Sequence, residues 1–148
     1  MGFILALCIA VMTVDGSASR EFTVKRSYDK IANHIQNDID DVYESMGVHV
    51  IERKDGNVRA EAKTQFGRVE WNHKEKIERT AEKIVVKINA SGEKFTFSAT
   101  MQAVPAKKGT RINLDANMSI NDERATPKLI EIGIGKVLEK IKKHFKSF

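Results

Sequence analysis

Three side chains that could perform acid–base chemistry occur at alternate positions of one segment. His73, Glu75 and Arg79 share a parity, so in an extended strand they point to the same side. Two apolar residues, Trp71 and Ile77, share that side. In an apolar pocket such groups can act as an acid, a base and an anion holder. One interpretation is therefore a cyclase-like enzyme that uses His73, Glu75 and Arg79. The other is that the strand extends past the core and these polar residues are simply exposed to solvent.

Other signatures of catalysis and metal binding are absent from the sequence. It contains no Gly-rich phosphate loop and no Gly-x-Ser-x-Gly elbow. The histidines are scattered, and no two have the spacing of metal ligands: His34, His49, His73 and His144. We therefore expect no metal and no cofactor, and we favour a non-catalytic role while leaving the question of an enzyme open.

Length and composition are typical of one globular domain. The chain has 148 residues, of which 41% are hydrophobic and 30% charged, with a net charge of +5. Its surplus of basic residues could favour nucleic acid, but the predicted strands present no aromatic platform on which bases would stack. We expect a monomer that does not bind nucleic acid.

The first nineteen residues differ from the rest. Phe3 to Met12 is an unbroken apolar run, and small residues at positions 17–19 precede the first charge of the basic part, Arg20. This order predicts a signal peptide cleaved near Ala18 or Ser19, with export to the periplasm or secretion. Cleavage would remove Cys8, the single cysteine. A buried first strand, an uncleaved anchor and a cytoplasmic protein are the alternatives.

Residues 20–148 then form the predicted domain. A short strand, Glu21 to Arg26, precedes a helical stretch from Tyr28 to Met46 that Ser27 can cap. Asn37 and Asp38 favour a break into two short helices. From Gly47 onwards the apolar residues alternate for about seventy residues, as in an antiparallel sheet. The six predicted strands are Val48–Arg53, Asn57–Thr64, Arg68–Arg79, Glu82–Ala90, Lys94–Ala103 and Gly109–Ile120.

A long amphipathic helix closes the sequence. Thr126 is its predicted N-cap, and Pro127 occupies the first helical position. The predicted fold class is α+β, a curved seven-stranded antiparallel sheet whose concave face this helix covers. Lysines on its other face could contact an anionic membrane surface: Lys136, Lys140 and Lys143.

The order of these elements resembles the helix-grip fold of the SRPBCC superfamily, which includes START lipid-transfer domains, polyketide cyclase-like proteins and the birch-pollen allergen family. Phe22 to Ile35 is similar to the family's opening strand and helix, and Val104 to Arg111 is similar to its turn before the last strand. A Trp-Pro pair common after the first helices is absent here, where Asp38, Asp40 and Asp41 stand instead.

This resemblance implies a cavity between the sheet and the long helix that holds a hydrophobic, lipid-like ligand. Small and flexible residues on the inward parity of the strands agree with such a space. Gly133 and Gly135 lie inside the helix, where close approach to a ligand or strand would explain them. The alternative is a tightly packed protein-interaction module without a ligand. The predicted ligand-binding residues are Trp71, Phe95, Phe97, Met101, Leu114, Met118, Ile130, Gly133, Ile134 and Val137.

Overall fold

The computed structural model describes residues 13–64, 67–92 and 94–148. The apolar run from Phe3 to Met12 lies outside these residues. The helices are α1 Tyr28–Asn37, α2 Ile39–Ser45 and α3 Pro127–Ser147. The strands are β1 Thr13–Val24, β2 Val48–Lys54, β3 Asn57–Thr64, β4 Gly67–Arg79, β5 Ile84–Ser91, β6 Phe95–Ala106 and β7 Gly109–Asn121.

All seven strands form one antiparallel sheet in the order β1-β7-β6-β5-β4-β3-β2. The six strands that follow α2 are hydrogen-bonded to their neighbours in sequence, while β1 joins the far edge beside β7. The three helices pack on one side of the sheet, which we call the inner face. The predicted α+β class, strand number and long final helix are confirmed.

The first strand begins earlier than predicted. It runs from Thr13 rather than Glu21, and pairs with β7 from Thr13 opposite Asn121 to Val24 opposite Thr110. Its first half faces inward with Gly16 and Ala18, which are too small to produce a visible hydrophobic alternation. Cleavage near Ala18 or Ser19 remains a prediction, and it would remove the beginning of this strand.

Local sequence determines where the helices begin and break. The Ser27 hydroxyl accepts a hydrogen bond from the Lys30 amide, and the Thr126 hydroxyl accepts one from Leu129. The break at Asp38 separates α1 from α2 as predicted. However, the Asp38 side chain makes no capping hydrogen bond.

The β6–β7 turn depends on a glycine. Gly109 has a φ of +132° and lies so close to β1 that an added Cβ would overlap the carbonyl oxygen of Val24. Pairing between Phe22 and Ile112, and between Val24 and Thr110, then brings β1 alongside β7 at this end of the sheet. The turn therefore requires glycine for both conformation and space.

Helix α3 lies along β1. Gly16 packs directly against Ile130, and Gly135 faces the Arg20 guanidinium, where an added Cβ would be 2.9 Å from Nη2. Farther along α3, its own side chains Leu138, Ile141 and Phe145 are buried. Small residues on both elements thus allow the helix to approach the edge strand closely.

Candidate functional site

The inner face is completely covered at the end of the sheet next to α1. There, a row of paired residues crosses β5, β6 and β7, namely Ile84 opposite Ala103 and Ala103 opposite Ile112. Each of the three is at most 1% exposed. Helix α1 packs on this part of β6 and β7. No ligand could enter this region without displacing the core.

On β6 and β7 burial decreases towards the opposite end of the same face, whereas Ala90 on β5, opposite Phe97, is still buried. Two rows along, Ile88 pairs with Ala99, and farther on Phe97 pairs with Met118 and Phe95 with Ile120. All of these side chains are inward-facing, yet they are only partly buried. The resulting apolar surface, which we call the open half of the inner face, consists of Ile88, Phe95, Phe97, Ala99, Met118 and Ile120.

The predicted ligand-binding residues are divided between this open half and the core. Buried positions are occupied by Met101, Leu114, Ile130 and Ile134, which belong to the core cluster. Partly buried positions are occupied by Trp71, Phe95, Phe97, Met118 and Val137. An apolar molecule could contact the second group without disturbing the first.

Gly133 was placed wrongly by the sequence. It lies on the exposed side of α3, and an added Cβ there would meet no atom within 4 Å. Gly133 and Gly135 lie on opposite flanks of the buried stripe through Ile130 and Ile134, and the flank of Gly133 is the one that faces solvent. The close approach predicted for both glycines is found at Gly135 only.

Polar side chains border the open half along β4. The Trp71 indole donates a hydrogen bond to His73 Nδ1 over 3.0 Å, so the proton of the neutral ring is on Nε2. His73 Nε2 lies 2.9 Å from the Tyr43 hydroxyl, which in turn donates to Glu75 Oε2 over 2.5 Å. These contacts form a one-directional chain of hydrogen bonds from the indole to the carboxylate.

The chain ends in an ion pair. Arg53 donates from Nε to one oxygen of Glu75 over 3.0 Å and from Nη2 to the other over 3.1 Å. It also donates from Nη1 to Asp40 on α2. The Glu75 side chain is only 5% exposed, so this two-point contact compensates for the burial of its charge.

Burial keeps two members of this chain neutral. It raises the pKa of Tyr43 far above its ordinary value, and the Glu75 charge raises it further. Burial also lowers the pKa of His73, an effect that Glu75 opposes and Arg53 reinforces. If His73 were protonated at Nδ1, its N–H group would face the N–H group of the Trp71 indole, and the hydrogen bond between them would be lost. The ring is therefore held as a neutral hydrogen-bond donor.

Arg79 does not join this group. Its guanidinium donates to Asn33 over 2.7 Å and to Gln36 over 2.9 Å, both on α1. The predicted trio is thus separated: His73 and Glu75 are connected through Tyr43, while Arg79 links β4 to α1. No cooperation of the three on one substrate atom follows from this arrangement.

Sequence reasoning missed Tyr43 and Arg53. Tyr43 stands four residues after Ile39, on the apolar side of α2, but an amphipathic residue next to Val42 gives no sign of burial. Arg53 lies just beyond a β-bulge between Val50 and Glu52. Because a bulge shifts the alternation of a strand, parity alone could not place this side chain.

Two histidines far apart in sequence meet at the other end of the molecule. His34 on α1 and His144 on α3 place their Nε2 atoms 2.8 Å apart. The Phe148 ring stacks on His34 with centroids 4.1 Å apart, and Asp38 lies 3.6 Å from His34 Nδ1. Among the described residues, however, no group of three or more potential metal ligands occurs.

Two surface cavities accompany these features. One, of about 590 Å³, is lined by polar residues such as Asn89, Ser98 and Asn117 and also by His73, Ala90, Phe97 and Met118. The other, of about 740 Å³, lies between α3 and β1 and includes Ala18, Ile132 and Lys136.

In the part of the chain that the structure describes, no helix is both long enough and apolar enough to cross a membrane.

Comparisons with known proteins show similarity only at the level of structure. No protein-family model matches the sequence, and no curated protein matches it. Ara h 8.0201 superposes with a TM-score of 0.61 at 14% identity, over 90% of this chain and 99% of that one. A START superfamily protein from Mycobacterium smegmatis gives a TM-score of 0.58 at 14% identity, over 86% and 92%.

A third similar structure is the di-domain ARO/CYC StfQ from the steffimycin biosynthetic pathway. Its TM-score is 0.68 at 12% identity, over 91% of this chain and 50% of that one. The chain has the helix-grip fold that these structures share. Within this helix-grip domain, the open half of the inner face lies on the same face of the sheet as the terminal helix.

Proposed function

We propose that this helix-grip domain binds an apolar or amphipathic small molecule on the open half of its inner face, without transforming it. The observation that supports this most directly is the decrease in burial along the face. Inward residues of β6 and β7 change from at most 1% exposed at Ala103 and Ile112 to partly exposed at Phe97 and Met118. A sheet face that is apolar but incompletely covered is a favourable surface for an apolar ligand.

The composition of the open half supports the same proposal. Phe95 and Phe97 provide flat apolar area, Met118 can adapt its shape, and Ala99 leaves space between them. The helix-grip proteins that the sequence resembles, which include START lipid-transfer domains and the birch-pollen allergen family, are expected to bind hydrophobic ligands. We extend that property to this chain as part of the proposal.

The polar chain on β4 favours binding over catalysis. Both ring nitrogens of His73 are engaged, one by Trp71 and one by Tyr43. Both oxygens of Glu75 are held by Arg53. Since a general acid or base needs a free position for its substrate, these groups are better suited to fix the wall of the site.

A fluorescent fatty acid such as cis-parinaric acid tests this proposal. We expect wild-type protein to bind the probe, and Ala99→Leu to bind it roughly tenfold more weakly, because the added side chain occupies the open half. Gly133→Leu places a leucine side chain on the exposed side of α3 and is the control, with unchanged binding. Thermal unfolding followed by circular dichroism confirms that both variants are folded.

Two results would contradict the proposal. One is the absence of probe binding by the wild type together with the absence of co-purified lipid in native mass spectrometry. In that case a protein-interaction module becomes the better interpretation. The other is equal probe binding by wild type and folded Ala99→Leu protein, which would place the ligand elsewhere.

A further inference from the structure

The N-terminal half of α3 exposes large apolar side chains to solvent. Leu129 is 59% exposed and Ile132 is 46% exposed. Among the described residues only one other large hydrophobic residue is exposed to this degree, Val69 on β4. Neither Leu129 nor Ile132 belongs to the buried stripe of the helix, so packing of the domain does not explain them.

Lysines accompany these two residues: Lys128 precedes Leu129 in the sequence, and Ile132 shares a groove with three lysines. Lys128, Lys136 and Lys140 line the 740 Å³ groove together with Ile132, and none of the three forms an ion pair with another described residue. Of the two acidic lining residues, Glu139 is paired with Arg20 over 2.8 Å, and Glu131 forms no ion pair with another described residue. The groove therefore carries an excess of positive charge next to exposed apolar surface.

The start of the described chain lies at the same end of the domain. Thr13 begins β1, and Gly16 packs against Ile130 and the carbonyl oxygen of Pro127 in the first turn of α3. In sequence, the apolar run from Phe3 to Met12 immediately precedes Thr13. The described chain thus begins near the turn that bears Leu129.

We infer that the N-terminal half of α3 docks on the surface of an anionic lipid bilayer. Leu129 and Ile132 enter the boundary between headgroups and acyl chains, and Lys128, Lys136 and Lys140 contact the lipid phosphates. A helix that presents apolar residues flanked by lysines has the chemistry that such a surface recognises. This inference does not depend on the proposed small-molecule ligand.

Co-sedimentation of the full chain with lipid vesicles tests the inference. Vesicles of phosphatidylcholine mixed with phosphatidylglycerol provide the anionic surface, and pure phosphatidylcholine provides the neutral reference. We expect the Leu129→Ser/Ile132→Ser double variant to lose most binding to anionic vesicles. Lys128→Gln and Lys136→Gln should each weaken it by about fivefold. Glu131→Gln should strengthen it, because it removes the opposing charge.

Matched controls separate this surface from general effects of charge or hydrophobicity. Val69→Ser removes the exposed apolar residue of β4, and Lys87→Gln removes a lysine of the outer sheet face; neither should alter vesicle binding. All variants retain residues 1–12, so the differences between variants measure only the contribution of α3. The inference is overturned if the double-serine variant binds anionic vesicles as well as wild type does, or if the controls lose binding equally.

Discussion

At the scale of single residues, the contact between His34 and His144 leads us to expect that the packing of α3 against α1 weakens as pH falls. Their Nε2 atoms are 2.8 Å apart, so one ring donates and the other accepts. Burial lowers the pKa of His144, and neighbouring His34 lowers it further, while Asp41 opposes the shift. The other charged groups at this contact are Asp38 on His34 and Arg26 on Phe148.

The direction of the expected pH effect follows from that lowered pKa. The unfolded chain takes up a proton on His144 more readily than the folded one, so the free energy of unfolding falls as pH decreases through and below about 6.5. The buried His73, whose pKa is also lowered, adds to this fall. His144→Gln retains an acceptor but cannot titrate, and we expect it to reduce the loss of stability between roughly pH 7.5 and roughly pH 5.5.

Urea denaturation followed by circular dichroism at the two pH values provides the measurement. His49→Gln is the control, because His49 is exposed on β2, where its Nδ1 lies 2.8 Å from Glu44 Oε1, whereas the His34–His144 contact joins α1 to α3. An unchanged pH dependence in His144→Gln would show that the histidine pair does not contribute to it. The sequence could not have indicated this pair, since the two residues are 110 positions apart and only the packing of α3 brings them together.

At the scale of elements, the two glycines of α3 show what periodicity can and cannot predict. The stripe through Ile130, Ile134 and Ile141 places Gly133 and Gly135 on opposite flanks of the buried side. Which flank lies against β1 depends on how the whole helix sits on the sheet.

The strands were easier to predict, because β3 to β7 alternate clearly between apolar and polar residues, whereas the small residues at the start of β1 hide their alternation.

Gly133→Ala and Gly109→Ala should therefore change stability in opposite directions. At position 133 the added methyl meets open space and improves helix propensity, which should raise the free energy of unfolding by up to about 1 kcal/mol. At position 109 the positive φ and the Val24 carbonyl exclude a side chain, and the loss should exceed about 1 kcal/mol. Urea denaturation measures both, and destabilisation by Gly133→Ala would mean that this glycine has a contact the structure does not show.

At the scale of the whole molecule, β1 is the edge strand beside β7, and the predicted leader includes the first residues of this strand. Thr13–Ala18 pair with Ala116–Asn121, and Gly16 lies under the first turn of α3. Cleavage near Ala18 or Ser19 would expose the corresponding edge of β7 and remove the support of Ile130. The boundary of the leader thus determines whether the open half of the inner face keeps its β1 wall.

A chain beginning at Ser19 should consequently be less stable than a chain beginning at Thr13. Each backbone hydrogen bond contributes about 1 kcal/mol net, so loss of the paired segment should lower the free energy of unfolding by a few kcal/mol in urea. The same two chains should differ in binding of cis-parinaric acid, because the shorter one lacks Gly16 and Ala18 beside Met118 and Ala116. Equal stability of the two chains would show that Thr13–Ala18 are dispensable for the fold. Mass spectrometry of the N-terminus in protein from its own cells would then identify the natural form, with Ser19 or Arg20 as the first residue if the leader is cleaved as predicted.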